Sequence, residues 1–165
     1  MIEPVLLQPR AEPVEQHLRA SNRRTGSEST QDRLECRQYI FMERAFRQGG
    51  GIVSGDQLAH LLRSTSWQPI SLLARWIVGR KVISFDWHAN TMLPLFQFDP
   101  SSMTIRQCVS QILRELTEVF DDWELAWWFA QPNAWLDHHA PVAVLDLDAK
   151  AVLDAARADR FIARG

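Results

Sequence analysis

The carboxy-terminal third of the chain reads DDWELAWWFAQPNAWLDHHAPVAVLDLDAKAVLDAARADRFIARG, from Asp121 to Gly165. Trp123, Trp127, Trp128 and Phe129 crowd together, and Pro132 and Pro141 then interrupt the chain. Proline lacks an amide donor, and its ring collides with the preceding helical turn, so no helix runs through either position. The segment is therefore restricted to short helical pieces. Asp121 or Asp122 opens one over WELAWWFAQ, and Asn133 caps a turn holding Trp135 and Leu136. Pro141 opens PVAVL, and Asp148 caps a final helix that ends in arginines. At helical spacing Trp123 and Trp127 share one face, while Leu125, Trp128 and Phe129 occupy another. A helix that is apolar all round lies in a core or at an interface. Both destinations stay open for Trp123, Trp127, Trp128, Phe129 and Trp135.

Upstream, residues 1–33 are rich in Pro, Gln, Glu, Arg, Ser and Thr, and SNRRTGSESTQDR has no apolar residue beyond glycine. Such a stretch buries too little to offset the entropy of ordering, and a mobile tail is expected. From Leu34 to Gln48, Leu34, Phe41, Met42, Ala45 and Phe46 form a helical stripe, which Gly49-Gly50-Gly51 ends. Ser54 with Gln57 is a capping-box pattern ahead of Leu58, Leu61 and Leu62. After a tight turn, Pro69 suits the first turn of PISLLARWIVGRK, whose stripe is Ile70, Leu73, Ala74 and Ile77, with Gly79 as its stop. KVISFDW reads as a strand, HANT as a turn with Asn90 left-handed, and MLPLFQFD as the returning strand, with Pro94 marking an edge or bulge. Thr104 then caps a long helix carrying Ile105, Cys108, Ile112, Leu116 and Val119. The expected fold is mainly α with one small β-hairpin. It comprises a tail (1–33), a helix plus a winged helix-turn-helix-like module (34–98), and an α-helical carboxy-terminal domain (99–165).

Charge and chemistry narrow the function. The net charge of -2 argues against general polyanion binding. Its distribution is uneven, with the sum positive over residues 54–98 and negative over 99–165. Two cysteines, Cys36 and Cys108, make neither a four-cysteine zinc site nor a secreted scaffold; Cys108 falls on an apolar stripe and reads as core. No stretch has signal-peptide character or approaches the roughly 20 apolar residues that span a bilayer, so a cytoplasmic location is expected. The glycine run lacks the Lys-Ser/Thr of a phosphate loop, and the Asp pairs read as helix caps. His138-His139 lacks partners at metal-ligand spacing, and His60 reads as solvent-facing. No enzyme, metal or cofactor is expected.

Two short helices and a hairpin give the outline of a winged module, whose second helix would enter a major groove. Arg63, Arg75, Arg80 and Lys81 are its candidate phosphate contacts, and Gln68 and Ser71 its candidates for base edges. With so few charges, promoter binding would call for a homodimer.

The order Leu93–Asp99, a long helix, then Asp122, Trp127, Trp128, Phe129, Pro132, Asn133, Leu136, Pro141, Val142 and Leu145 resembles the toxin-binding domain of antitoxins of the Xre/MbcA/ParS type, over roughly residues 91–165. Where that family often has glycine between the leucine and the proline, this chain has Asp137-His138-His139. The upstream part looks more like the small winged module of excisionases. The resemblance implies a bacterial antitoxin that forms dimers, binds its promoter and plugs the cleft of a RES-domain toxin acting on NAD. The plug would be the last helix, with Arg157, Arg160, Phe161 and Arg164 facing a cleft shaped for phosphates. The alternative is an orphan protein-interaction or regulatory module that has neither toxin nor DNA.

Overall fold

The computed structural model describes the backbone of residues 14–165 and the side chains from Thr30 onward. Residues 1–13 of the expected tail lie outside the described residues. The chain divides into two compact units, Met1–Arg37 and Gln38–Gly165.

Helix α1 spans Val14–Phe46, so helical structure begins well ahead of the expected start at Leu34. Adding a residue to an existing helix costs far less than nucleating one, which allows α1 to run through a stretch with no apolar stripe. In the first unit, Gln31 Nε2–H donates to Glu35 one turn on (2.9 Å), while Leu34 and Cys36 are exposed.

In the second unit, α1 ends with Met42 and Phe46 fully buried. Gly49 follows, where a Cβ would lie 2.5 Å from that of Phe96, so only glycine permits the approach. Next come β1 (Ile52–Ser54), α2 (Gly55–Leu61) and α3 (Pro69–Val78). They are followed by β2 (Phe85–Trp87) and β3 (Asn90–Pro94). The expected hairpin is thus the larger part of a three-stranded antiparallel sheet of order β1-β3-β2. The strand that sequence reasoning missed, β1, has only three residues sandwiched between a glycine run and a helix cap.

The expected strand KVISFDW forms only from Phe85. Ahead of it, the buried Gln97 side chain takes the place of a neighbouring strand. Its Oε1 accepts the Ile83 amide (2.6 Å), and its Nε2 donates to the carbonyls of Ile83 (2.9 Å) and Pro94 (2.8 Å). The returning strand stops at Pro94 because Leu95–Gln97 turns into a 3-10 helix.

The carboxy-terminal elements are α4 (Gln107–Leu116), α5 (Asp122–Ala130), α6 (Pro141–Val144) and α7 (Ala149–Arg164). Helix α4 starts later than Thr104, with Arg106 at its N-cap. The reason is a local turn. Asp99 Oδ1 accepts the amides and hydroxyls of Ser101 and Ser102, and Phe98 bridges to Ile105. Those hydrogen bonds, the Ser101 hydroxyl first, hold the Asp99 carboxyl down at about 2.

Two apolar clusters organise this unit. The smaller joins Leu58 of α2, Leu62 just past its end, Leu73 of α3, Val82, Leu93 and Phe98. The larger joins Met42 and Phe46 to Phe85, Phe96 and the buried faces of α4, α5 and α7. Residues on both sides of the boundary expected at 98/99 therefore share one core. Strand alternation feeds both clusters: Val53 and Leu93 serve the smaller, Ile52 and Met92 the larger. Among the described residues no helix is long and apolar enough to cross a membrane.

Candidate functional site

The capping box at Ser54 forms as the sequence suggests, with Gln57 N–H on Ser54 Oγ (3.3 Å) and Ser54 N–H on Gln57 Oε1 (2.8 Å). A 3-10 turn, Leu62–Ser64, leads from α2 toward α3, which Pro69 opens. The core-facing side of α3 differs from the expected stripe. Leu73 is buried and Trp76 and Ile77 are half-buried, all packed in the smaller cluster, whereas Ile70 and Ala74 are exposed. Trp76, which stacks toward Phe98 at 5.8 Å, draws the helix round by claiming a core position.

The rotation leaves an outward arc of two halves. Ile70, Ala74 and Val78 recur every fourth residue, with Trp67 just ahead of the helix; Trp67 is 99% exposed, Ile70 73% and Val78 85%. Beside them lie Gln68, Ser71 and Arg75, all exposed. Arg63 and Lys81 are also exposed, at the two approaches to α3. From Gln57 to Phe85 the sequence contains no Asp or Glu.

Arg80 is placed differently from these. Helix α3 ends with Lys81 N–H on Trp76 O and Arg80 N–H on Ile77 O, both 2.9 Å, a Schellman closure. Gly79 keeps an ordinary φ of -80°, and Arg80 takes the left-handed position at +47°. Its guanidinium then reaches across to the α4–α5 junction. Nη1 donates to Thr117 O (2.5 Å), Nη2 to Phe120 O (2.8 Å) and Nε to Asp122 Oδ1 (3.0 Å). Arg80 is thereby a clamp within the fold, and its planar fork is already occupied.

The β2–β3 hairpin is short and pinned. His88 at φ +53° and Ala89 connect β2 to β3, so the left-handed residue is His88 and the expected one, Asn90, begins the strand. Trp87 lies flat on Tyr39 at 4.4 Å and near Trp123 at 5.9 Å. Burial, then the Glu43 carboxylate, raise the Tyr39 phenol above its ordinary value.

The aromatic helix α5 mostly closes the protein's own interior. Trp128 and Phe129 are buried, with their rings edge to face at 5.0 Å. Trp123 and Trp127 are half-buried; Trp123 Nε1–H donates to Gln38 (2.9 Å), and Trp127 lies 5.3 Å from Phe41. Trp135 is different, at 59% exposure. One carboxylate fixes this corner. Asp159 accepts Trp128 Nε1–H (2.7 Å) and Asn133 Nδ2–H (2.7 Å) on one oxygen and Trp135 Nε1–H (3.1 Å) on the other. Asn133 also accepts the Trp135 amide (2.9 Å) and pairs with His139. Within that loop Asp137 and His138 hold left-handed conformations, φ 50° and 62°, of the kind glycine adopts without strain.

The arginines of α7 are tied to α4 and to the turn that follows it. Arg157 Nε and Arg160 Nη1 both reach Glu115, at 3.0 and 2.5 Å, and Arg164 pairs with Glu118. The Glu115 hydrogen bond raises the Arg157 pKa further. Phe161 is 78% exposed, and Ile162 is exposed beside it. Sequence reasoning did not single out Asp159, Glu115 or Gln97. Asp159, set among arginines, reads as a solvated charge, and only the folding of α7 onto the Asn133 loop shows its three donors. Cys108 is half-buried against the larger cluster.

A groove of about 760 Å³ opens among Ala45, Gly49, Phe96, Phe98, Met103 and Leu145, and Arg106 bridges its side to Asp146 (2.5 Å) and Phe96 O (3.2 Å). No protein-family model, curated protein or solved structure matches this chain.

Proposed function

We propose that this protein is an antitoxin-like bacterial regulator. In this reading α2, α3 and the β2–β3 wing contact promoter DNA, and the carboxy-terminal helices dock a RES-type toxin. The observation that carries the DNA half is the arrangement of β1, α2, α3, β2 and β3, with β1 and β2 flanking β3. It leaves α3 outward at the centre of an acid-free stretch. Arg63, Arg75 and Lys81 serve the phosphates, and Gln68 and Ser71 serve base edges. Arg80, spent on the α4–α5 junction, adds little. Three cations per copy give a shallow electrostatic contribution, which favours a homodimer across two half-sites.

For the protein half, support comes from the Trp-Pro-Asn order and from a loop whose left-handed Asp137 and His138 stand where the resembling family often has glycine. Phe161 and Ile162 are exposed apolar residues near the end of α7, and Trp135, held by Asp159 of the same helix, is exposed as well. Arg157, Arg160 and Arg164 can serve acidic groups at the toxin's cleft by exchanging Glu115 and Glu118 for them.

The test is co-purification with the product of the neighbouring gene, expected to be a RES-domain protein, together with a mobility shift on the promoter. The proposal expects a joint peak in size exclusion that Phe161→Ala weakens. It also expects a salt-sensitive shift that Arg75→Ala weakens. Separate elution with the toxin still active would defeat the protein half. An unshifted promoter would defeat the DNA half.

A further inference from the structure

The outward arc of α3 is unusual in being half apolar. Base readout by Gln68 and Ser71 and phosphate contact by Arg75 leave Trp67, Ile70, Ala74 and Val78 without a role. Exposed apolar side chains on a helix whose own stretch is free of acids and flanked by Arg63, Arg75 and Lys81 point to a polyanion that also offers apolar contact. In the major groove one feature has that character, the C5-methyl of thymine, which lies at the groove edge of every A·T pair. The glutamine beside the stripe is the side chain suited to adenine N6 and N7.

Resting on the DNA reading above, the geometry points to an A·T-containing half-site read by α3: thymine methyls pack on Ile70, Ala74 and Val78, and Gln68 and Ser71 face the adenine edges. Trp67 lies at the end of the stripe, where the helix N-terminus meets the groove. Much of the discrimination then comes from apolar burial. Specificity therefore survives salt that weakens the few phosphate contacts.

The test uses the full-length chain. Short duplexes with a randomised centre are selected on the protein, and the enriched duplex is remade with deoxyuridine at each thymine in turn. That change removes the methyl and leaves the pairing intact. Fluorescence anisotropy is expected to show about a fourfold loss per methyl that faces the apolar half, the worth of one buried carbon. Val78→Thr, isosteric and on an exposed position, is expected to lower affinity and to abolish the uridine effect at one site. Equal binding of thymine and uridine duplexes would overturn the inference while leaving the DNA reading in place. Enrichment of no duplex would overturn both. A blue shift of Trp67 emission on anionic vesicles, without duplex binding, would assign the face to a lipid surface and likewise overturn both.

Discussion

Arg80 gives the sharpest separation between a fold role and a binding role. Removing its side chain costs the bonds to Thr117 O, Phe120 O and Asp122. A hydrogen bond to a charged group contributes roughly 1.5–3 kcal/mol when shielded. The Arg80 side chain is 37% exposed, so each carbonyl bond is discounted to about 1 kcal/mol; the exposed Asp122 pair adds at most about 0.5. Arg80→Ala is therefore expected to cost about 2.5 kcal/mol. The left-handed backbone of Arg80 costs roughly 1 kcal/mol for any residue with a Cβ. Arg80→Gly relieves that strain and should be the milder variant, at about 1.5 kcal/mol. Arg80→Lys keeps the charge but loses the fork, and falls near Ala.

Thermal unfolding followed by circular dichroism measures this. For a chain of this size about 1 kcal/mol moves Tm by roughly 2–4 °C, so Ala should fall by roughly 5–10 °C and Gly by roughly 3–6 °C. Arg75→Ala, on an exposed position without such bonds among the described residues, should stay within about 0.5 kcal/mol of wild type. A Tm for Arg80→Ala that matches Arg75→Ala, or a glycine variant less stable than the alanine one, would refute the clamp. Any loss of DNA binding by Arg80→Ala should then vanish when measured well below its Tm.

Other perturbations test other parts of the fold. Asp159→Ala orphans the Trp128 and Asn133 donors and should cost about 2–4 kcal/mol in chemical denaturation, with altered tryptophan emission; an unchanged midpoint would refute the three-donor corner. Gln97→Leu should cost roughly 3 kcal/mol by the same measurement, because the Ile83 amide and two carbonyls lose their partner inside the core. His138→Gly should raise Tm, since glycine takes a φ of 62° without strain; a fall would refute that expectation. Asp99 titrates about 2 when folded against 3.8 ordinarily, so its contribution is complete above about 4 and lost as pH falls through about 2; the Tm gap between wild type and Asp99→Asn should close over that window and stay constant above it.

Caps and breakers were legible because their physics is local. Ser54, Pro69, Asp121, Asn133, Pro141 and Asp148 each act within about one turn, and each opens the element the sequence suggests. Long-range substitutions were not legible. Gln97 replaces a strand partner fourteen residues away, and nothing near Ile83 announces it. The face of α3 was misjudged because Trp76 and Ile70 carry comparable apolar weight in a periodicity argument; only the position of Phe98 decides which one is buried. The sequence places Arg157, Arg160 and Arg164 on the last helix, but the carboxylates that hold them, Glu115 on α4 and Glu118 just past its end, lie more than forty residues earlier.

Those pairings bear on how a partner could engage the last helix. Glu115 is the more buried end of its contacts, at 16% side-chain exposure, and it serves both Arg157 and Arg160. An anionic partner that takes either arginine leaves Glu115 with the other, so one contact can be surrendered without stranding the carboxylate. Arg164 and Glu118 are each about half exposed and separate at little cost. Engagement should therefore proceed from the last turn of α7 back toward its start, Arg164 first and Arg157 last. Alanine substitutions along the helix would then weaken partner binding in the order Phe161 and Arg164 ahead of Arg160, with Arg157 least affected. The same series in thermal unfolding should run the other way, because Glu115 is the contact that holds α7 to α4. Parallel rankings in the two assays would mean that the arginines act only through the fold.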